Sequence, residues 1–185
     1  MRLFLAALLE EPVKDRLCEA MDRIRRSTLE SRLTLRENLH LTLVFLGETQ
    51  RVKEVREAMN QIRTGSFFLE IQGVGRFRRD GGSLYWAGVK PALPLLSLYE
   101  ELKKALIAQG FSIEERPYRP HLTLARQVVE NPEIPFETLQ YSLQPVKNRV
   151  CAVSLMKSER ISGRLVYTEL YRKELGENNR EDAIV

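Results

Sequence analysis

A chain of 185 residues and 21.4 kDa is long enough for one domain with a full core, or for two small lobes packed together, and one compact unit is the default. A hydrophobic content of 43% against 29% charged residues excludes a largely disordered chain. The net charge of +4 and pI near 9.2 suit an anionic ligand without demanding a long nucleic-acid track.

The chain opens on MRLFLAALLEEP, one arginine and then an apolar run from Leu3 to Leu9. That run is short for a secretory signal and stops at Glu10-Glu11-Pro12 without a small-residue cleavage site, so it reads as a buried first strand. Pro12 suits the first turn of a helix running to about Arg26, with Val13, Leu17, Met21 and Ile24 at helical spacing. A polar link from Ser27 to Glu37 leads into an apolar strand, HLTLVFLG, that ends at Gly47. Side chains alternate along a strand, so His40 and Thr42 share one face, while Leu41, Leu43 and Phe45 are expected in the core. A second amphipathic helix carries Val52, Val55, Met59 and Ile62, and Gly65 stops it.

Residues 67–74 (FFLEIQGV) and 84–90 (LYWAGVK) read as strands joined by the loop GRFRRDGGS, in which Asp80-Gly81-Gly82 supplies a hairpin turn. Arg76, Arg78 and Arg79 surround Phe77 there. Cations around an aromatic ring serve single-stranded RNA binding, and a solvated hairpin tip looks the same, so the loop is a candidate contact. Leu95, Leu98, Leu102 and Leu106 mark a third helix from Pro94 to Gln109, ended by Gly110. Pro117 and Pro120 then bracket an extended segment holding Tyr118, a further candidate RNA contact, and deliver the chain into the strand HLTLAR at His121. Arg126 falls outside the parity of His121 and Thr123, so it reaches their face only if the strand bends or ends there. Residues 131–147 read as a short helix or turn near Phe136 to Tyr141 and then an extended piece. A hairpin follows, from Arg149 to Met156 and from Leu165 to Arg172, turned through Ile161-Ser162-Gly163. The division expected is one bilobal domain over residues 1–175 and a frayed polar tail over 176–185.

The tetrapeptide HLTL occurs twice, at His40 and at His121, and the chain has no other histidine. The repeat distance, 121 − 40 = 81 residues, is less than half the chain, so two similar lobes could each bring one histidine to a shared cleft. Histidine changes charge near neutral pH and is the natural proton carrier of catalysis. Two imidazoles facing one cavity suit displacement at phosphorus: one takes a proton from the attacking water, the other protonates the leaving oxygen. Thr42 and Thr123 could hydrogen-bond the non-bridging oxygens as charge builds, and Arg126 could clamp them. Cys18 and Cys151 lack metal-ligand spacing and read as small buried hydrophobes in a reducing compartment. With no Cys cluster and two histidines, no metal and no other cofactor is expected. No stretch approaches the apolar length of a membrane span, so the expectation is a soluble cytoplasmic protein, a monomer with no obligate protein partner.

On these residues the sequence resembles the two-histidine phosphoesterase superfamily, and within it the bacterial and archaeal RNA 2′,3′-cyclic phosphodiesterases, historically called 2′-5′ RNA ligases. The resemblance runs to about residue 173. It rests on RLFLA, NLHLTLVFLGE, LYWAGV, RPYRPHLTLAR and the closing pattern of Ser158, Gly163 and Tyr167. It implies an α+β fold of pseudo-twofold symmetry, with antiparallel sheets lining a central cleft and helices outside. It also implies metal-independent hydrolysis of an RNA terminal 2′,3′-cyclic phosphate to a 2′-phosphomonoester. By position, His40 matches the proton donor to the departing 3′ oxygen and His121 the proton acceptor that activates water; Thr42, Thr123 and Arg126 match phosphate-binding positions. The residues themselves leave open which histidine is acid and which is base. The same histidines would also serve 2′-5′ joining of RNA ends, or a cyclic phosphate on a small nucleotide, and a non-catalytic RNA-end binding module is the alternative outside catalysis.

Overall fold

The structure, a computed structural model, describes residues 1–177; the expected tail lies almost wholly outside the described residues. Two antiparallel sheets carry the fold. The four-stranded sheet has the order β3-β1-β8-β9, built from β1 (Arg2–Leu8), β3 (His40–Glu48), β8 (Ala152–Ile161) and β9 (Arg164–Glu174). The five-stranded sheet has the order β2-β6-β5-β4-β7, built from β2 (Thr28–Leu33), β4 (Phe67–Phe77), β5 (Ser83–Val89), β6 (His121–Glu130) and β7 (Val146–Val150). This is the α+β bilobal arrangement expected, with one histidine strand in each sheet.

The helices form where the apolar spacing requires. α1 (Glu11–Ser27) has Pro12 in its first turn, where the missing N–H costs nothing, and buries Val13, Leu17, Met21 and Ile24 along one stripe. α2 (Val52–Asn60) and α3 (Leu93–Ala108) follow the same logic, α3 burying Leu95, Leu98, Leu102 and Leu106. α4 (Glu137–Gln140) is a single turn. The lobes are not two consecutive halves of chain. α1 leaves the four-stranded sheet and packs on β2, β6 and β7 of the other, whereas α2 touches β8 and β9. One continuous hydrophobic core therefore runs beneath both sheets, from Leu3 and Leu5 through Leu69, Leu122 and Val153. A separate small cluster of Phe4, Ala6 and Met156, with Leu8 and Tyr167 against it, covers the opposite face of the four-stranded sheet.

Several boundaries differ from the sequence expectation. α2 ends at Asn60, short of the expected stop at Gly65, and Ile62 is buried just beyond the helix. The link after Ser27 contains β2, an edge strand with no buried residue, whose pairing is supplied by the backbone of β6; no hydrophobic alternation could announce it. β4 continues through Arg76 and Phe77, which were expected in a loop, because both pair with β5. The segment expected as one strand from Arg149 is two: β7 pairs with β4, the strand is interrupted at Cys151, and β8 pairs with β1 and β9.

Candidate active site

His40 and His121 open their respective strands, and both line a single cleft of about 910 Å³ between the sheets, with Thr42, Thr123 and Arg126. The structure thus brings together the five residues that sequence reasoning selected from two distant segments. Each ring is held in the same way. His40 Nδ1–H donates to the carbonyl of Asn38 at 2.7 Å, and His121 Nδ1–H donates to the carbonyl of Arg119 at 2.8 Å. A carbonyl can only accept, so Nδ1 carries a hydrogen in both rings and each Nε2 is left for proton transfer. Nε2 of His40 lies 3.0 Å from Thr42 Oγ1. When the ring is neutral the hydroxyl donates to Nε2; when it is protonated Nε2–H donates to the hydroxyl.

The two rings sit in different surroundings. Phe4 and Tyr167 enclose His40, with ring centroids 4.9 and 5.1 Å away, Tyr167 edge-on. Burial pushes the His40 imidazole below its ordinary pKa; the Asn38 carbonyl opposes the shift, and the charges of Arg126 and His121 add to it. His121 lies nearer solvent, flanked edge-on by Phe77 at 5.6 Å and by Trp86 at 6.4 Å. Trp86 pairs across the sheet with both Thr123 and Gly75. Its indole lies where a side chain on Gly75 would be: a Cβ there would meet the ring at 2.1 Å. Glycine at 75 is what leaves room for the indole.

A bulge brings Arg126 into the cleft. On β6, Ala125 pairs with Tyr85 and Thr123 with Trp86, so Leu124 is an extra residue; Leu124 and Ala125 both turn inward, and Arg126 returns to the histidine face. β3 does the same. Val44 pairs with Leu5 and Thr42 with Ala6, leaving Leu43 extra, and Leu43 and Val44 are both buried. This corrects the expectation for Phe45, which strict alternation sends to the core. The ring is 51% exposed and lines the cleft, with Arg2 over its face at 5.0 Å. Phe45 and Arg126 each stand five residues after a histidine, so the repeat is longer than four residues: it delivers an aromatic face on one side and a guanidinium on the other. An exposed ring backed by a cation can stack a nucleobase.

The candidate loop contacts disperse. Arg76 is turned away from the cleft, paired to Glu130 at 2.5 Å and packed over Phe136 at 4.2 Å, and is not free for a ligand. Phe77 stands against Trp86 and His121, Arg78 is exposed, and Arg79 lines a smaller pocket that shares Arg32 and Arg126 with the cleft. Tyr118, expected to touch RNA, is a brace: its ring stacks on Tyr99 at 4.3 Å, and its hydroxyl donates to the Thr42 carbonyl at 2.9 Å. Thr34 mirrors it, donating from Oγ1 to the Thr123 carbonyl at 2.9 Å. Each segment leading into one histidine strand therefore grips the threonine backbone of the other. Sequence reasoning missed Arg2, Phe4, Asn38, Phe45 and Tyr167 as lining residues; the matching fifth position of the repeat was the available signal for Phe45. Among the described residues, no group of three His, Cys, Asp or Glu side chains gathers as a metal site would require.

Two antiparallel sheets that present paired histidines and threonines to one basic cleft define the class: a two-histidine phosphoesterase. A family model described as the 2′-5′ RNA ligase superfamily matches residues 13–161. A Thermotoga maritima protein named RNA 2′,3′-cyclic phosphodiesterase is 36% identical over 131 residues, 68% of this chain and 70% of its own. A Thermus thermophilus protein of the same name is 30% identical over 202 residues, 99% of this chain and 95% of its own. The crystal structure of Escherichia coli LigT in apo form matches with a TM-score of 0.78 at 28% identity, covering 95% of this chain and 98% of that one. The chain belongs to the 2′-5′ RNA ligase superfamily.

Proposed function

We propose that this protein hydrolyses the terminal 2′,3′-cyclic phosphate of RNA to a 2′-phosphomonoester, with two histidines as acid and base and no metal or other cofactor in the step. The observation that carries this reading is the pairing of His40 and His121 in one cleft, each tethered at Nδ1 and free to exchange a proton at Nε2. The activity for which the relatives are named supports the substrate class. His121, nearer solvent, takes a proton from water as the water oxygen attacks phosphorus. The bond from phosphorus to O3′ breaks, and His40 gives that oxygen the proton from its Nε2. A buried imidazolium is a stronger acid than an exposed one, which suits donation to an alkoxide. The anionic phosphate itself favours the charged ring that must be present when the reaction begins. Thr42, Thr123 and Arg126 hold the non-bridging oxygens. The same reading takes residues 1–175 as one unit, working in the cytoplasm as a monomer with no obligate protein partner; among the described residues no helix is long and apolar enough to cross a membrane.

The test is to incubate the protein with a short RNA ending in a 2′,3′-cyclic phosphate, in EDTA, and to identify the product. The expected product is the 2′-phosphate, with His40→Ala and His121→Ala each slowing turnover by about 10²- to 10⁴-fold while the circular dichroism stays native. A 3′-phosphate product, loss of activity in EDTA, or turnover that survives either substitution contradicts the reading. Joining of RNA ends faster than hydrolysis would reassign the activity to ligation.

A further inference from the structure

Beside the catalytic cleft lies a second pocket of about 420 Å³, lined by Arg32, Arg79, Asp80, Gly81, Gly82 and Arg126, with Leu84 and Gln127. It is contiguous with the cleft, because Arg32 and Arg126 line both. Three features of its construction point to a ligand.

Arg32 on β2 and Arg126 on β6 are direct cross-strand partners. Like charges directly opposite one another on antiparallel strands destabilise the pair, at a separation of about 5 Å between Cβ atoms. No carboxylate relieves them: among the described residues none of Arg32, Arg79 and Arg126 forms an ion pair. Asp80 is the one acid in the lining, so three guanidiniums face a single carboxylate. Burial most of all, and after it the guanidiniums of Arg79, Arg2 and Arg32, work against the Arg126 charge, with Tyr167 opposing. By contrast, Arg36 is paired with Glu11 and Asp15, and Arg76 with Glu130.

The backbone beneath the cluster is also specific. Gln127 has φ +51, a left-handed conformation that costs a residue with a side chain, immediately after Arg126. Gly82, at φ +111, lies so close that a Cβ on it would meet the Gln127 backbone at 2.8 Å. The turn of the β4–β5 hairpin is thereby seated on β6, which holds Arg79 at the mouth of the pocket.

We propose that this pocket is a second phosphate subsite that binds the phosphodiester preceding the terminal nucleotide of an RNA strand, with Arg32 and Arg79 as its ligands and Arg126 shared with the reacting phosphate. The protein then selects an oligoribonucleotide end over a cyclic mononucleotide. Arginine suits the task because its fork of donors matches phosphate oxygens, and consecutive phosphates along a strand need cations at consecutive positions. The inference rests on the hydrolytic reading above.

The experiment measures kcat/KM for a pentaribonucleotide ending in a 2′,3′-cyclic phosphate and for a 2′,3′-cyclic mononucleotide, using wild-type protein and the Arg32→Gln and Arg79→Gln variants. The wild type is expected to favour the pentanucleotide, and each variant to lower the ratio of the two values by about tenfold. The salt dependence of pentanucleotide binding should also flatten by about 0.7 in log–log slope per lost contact, as for single strands. A ratio that neither variant changes, or a wild type that does not discriminate, overturns the subsite while leaving the hydrolysis reading intact. A wild type that opens neither substrate overturns the hydrolysis reading and the subsite with it.

Discussion

His40 is the side chain whose environment departs most from water among the reacting groups. Its folded pKa lies below the ordinary value of about 6.5 that the unfolded chain retains. As pH falls below about 6.5 the unfolded state takes up the proton first, so stability is complete above that value and declines through the window down to the folded pKa. Urea midpoints measured from about pH 7.5 to pH 5 should fall in the wild type and fall less steeply in His40→Gln; equal slopes would show that the ring is not held neutral by the fold. Arg126 is tested by its nearest substitute. Lysine keeps the charge but loses the planar fork, so Arg126→Lys should keep substrate binding within several-fold and lower kcat by about 10- to 100-fold. Wild-type kcat in that variant would mean that charge alone suffices. Neither role depends on composition; both depend on where one ring and one guanidinium are aimed.

At the level of elements, two paired devices set the geometry: the bulges at Leu43 and Leu124, and the braces from Tyr118 and Thr34. The braces tie each histidine strand to the approach of the other, although β3 and β6 belong to different sheets. Removing one hydroxyl tests them. Tyr118→Phe should cost about 1 kcal/mol of stability, the typical worth of one hydrogen bond, and should lower kcat about threefold or more with KM little changed, since no substrate contact is lost. A rise in KM at constant kcat would instead return Tyr118 to the substrate side, where the sequence had suggested it. These devices also mark what a sequence can disclose. Helices α1 and α3 were legible almost to the residue because their apolar spacing is strict, whereas α2 ends at Asn60 and leaves out Ile62, which the spacing had placed on it. The strand β2 was not, because an edge strand without buried residues carries no period. Phe45 was misassigned because strict alternation cannot anticipate the residue inserted at Leu43, and the matching insertion at Leu124 is what admits Arg126. Arg76 was misread because three arginines in a row of loop letters do not reveal that one of them meets Glu130 across the sheet.

For the molecule as a whole, the duplicated tetrapeptide was the part of the site that the chain displayed openly, while the crossing of α1 onto the far sheet and the shared core were not. Such a core makes the cleft a property of the whole fold, since neither sheet is buried without helices supplied from the other's stretch of chain. The account stands on one spatial statement: both imidazoles face the same phosphorus. The measurement that addresses it directly is a proton NMR titration of the wild-type protein with a 2′-phosphomonoester nucleotide, following the Cε1–H signals of His40 and His121, the two histidines of the chain. The account predicts that both signals move together along one saturation curve that ends at one equivalent. Movement of one signal alone, or two curves with different midpoints, would contradict it.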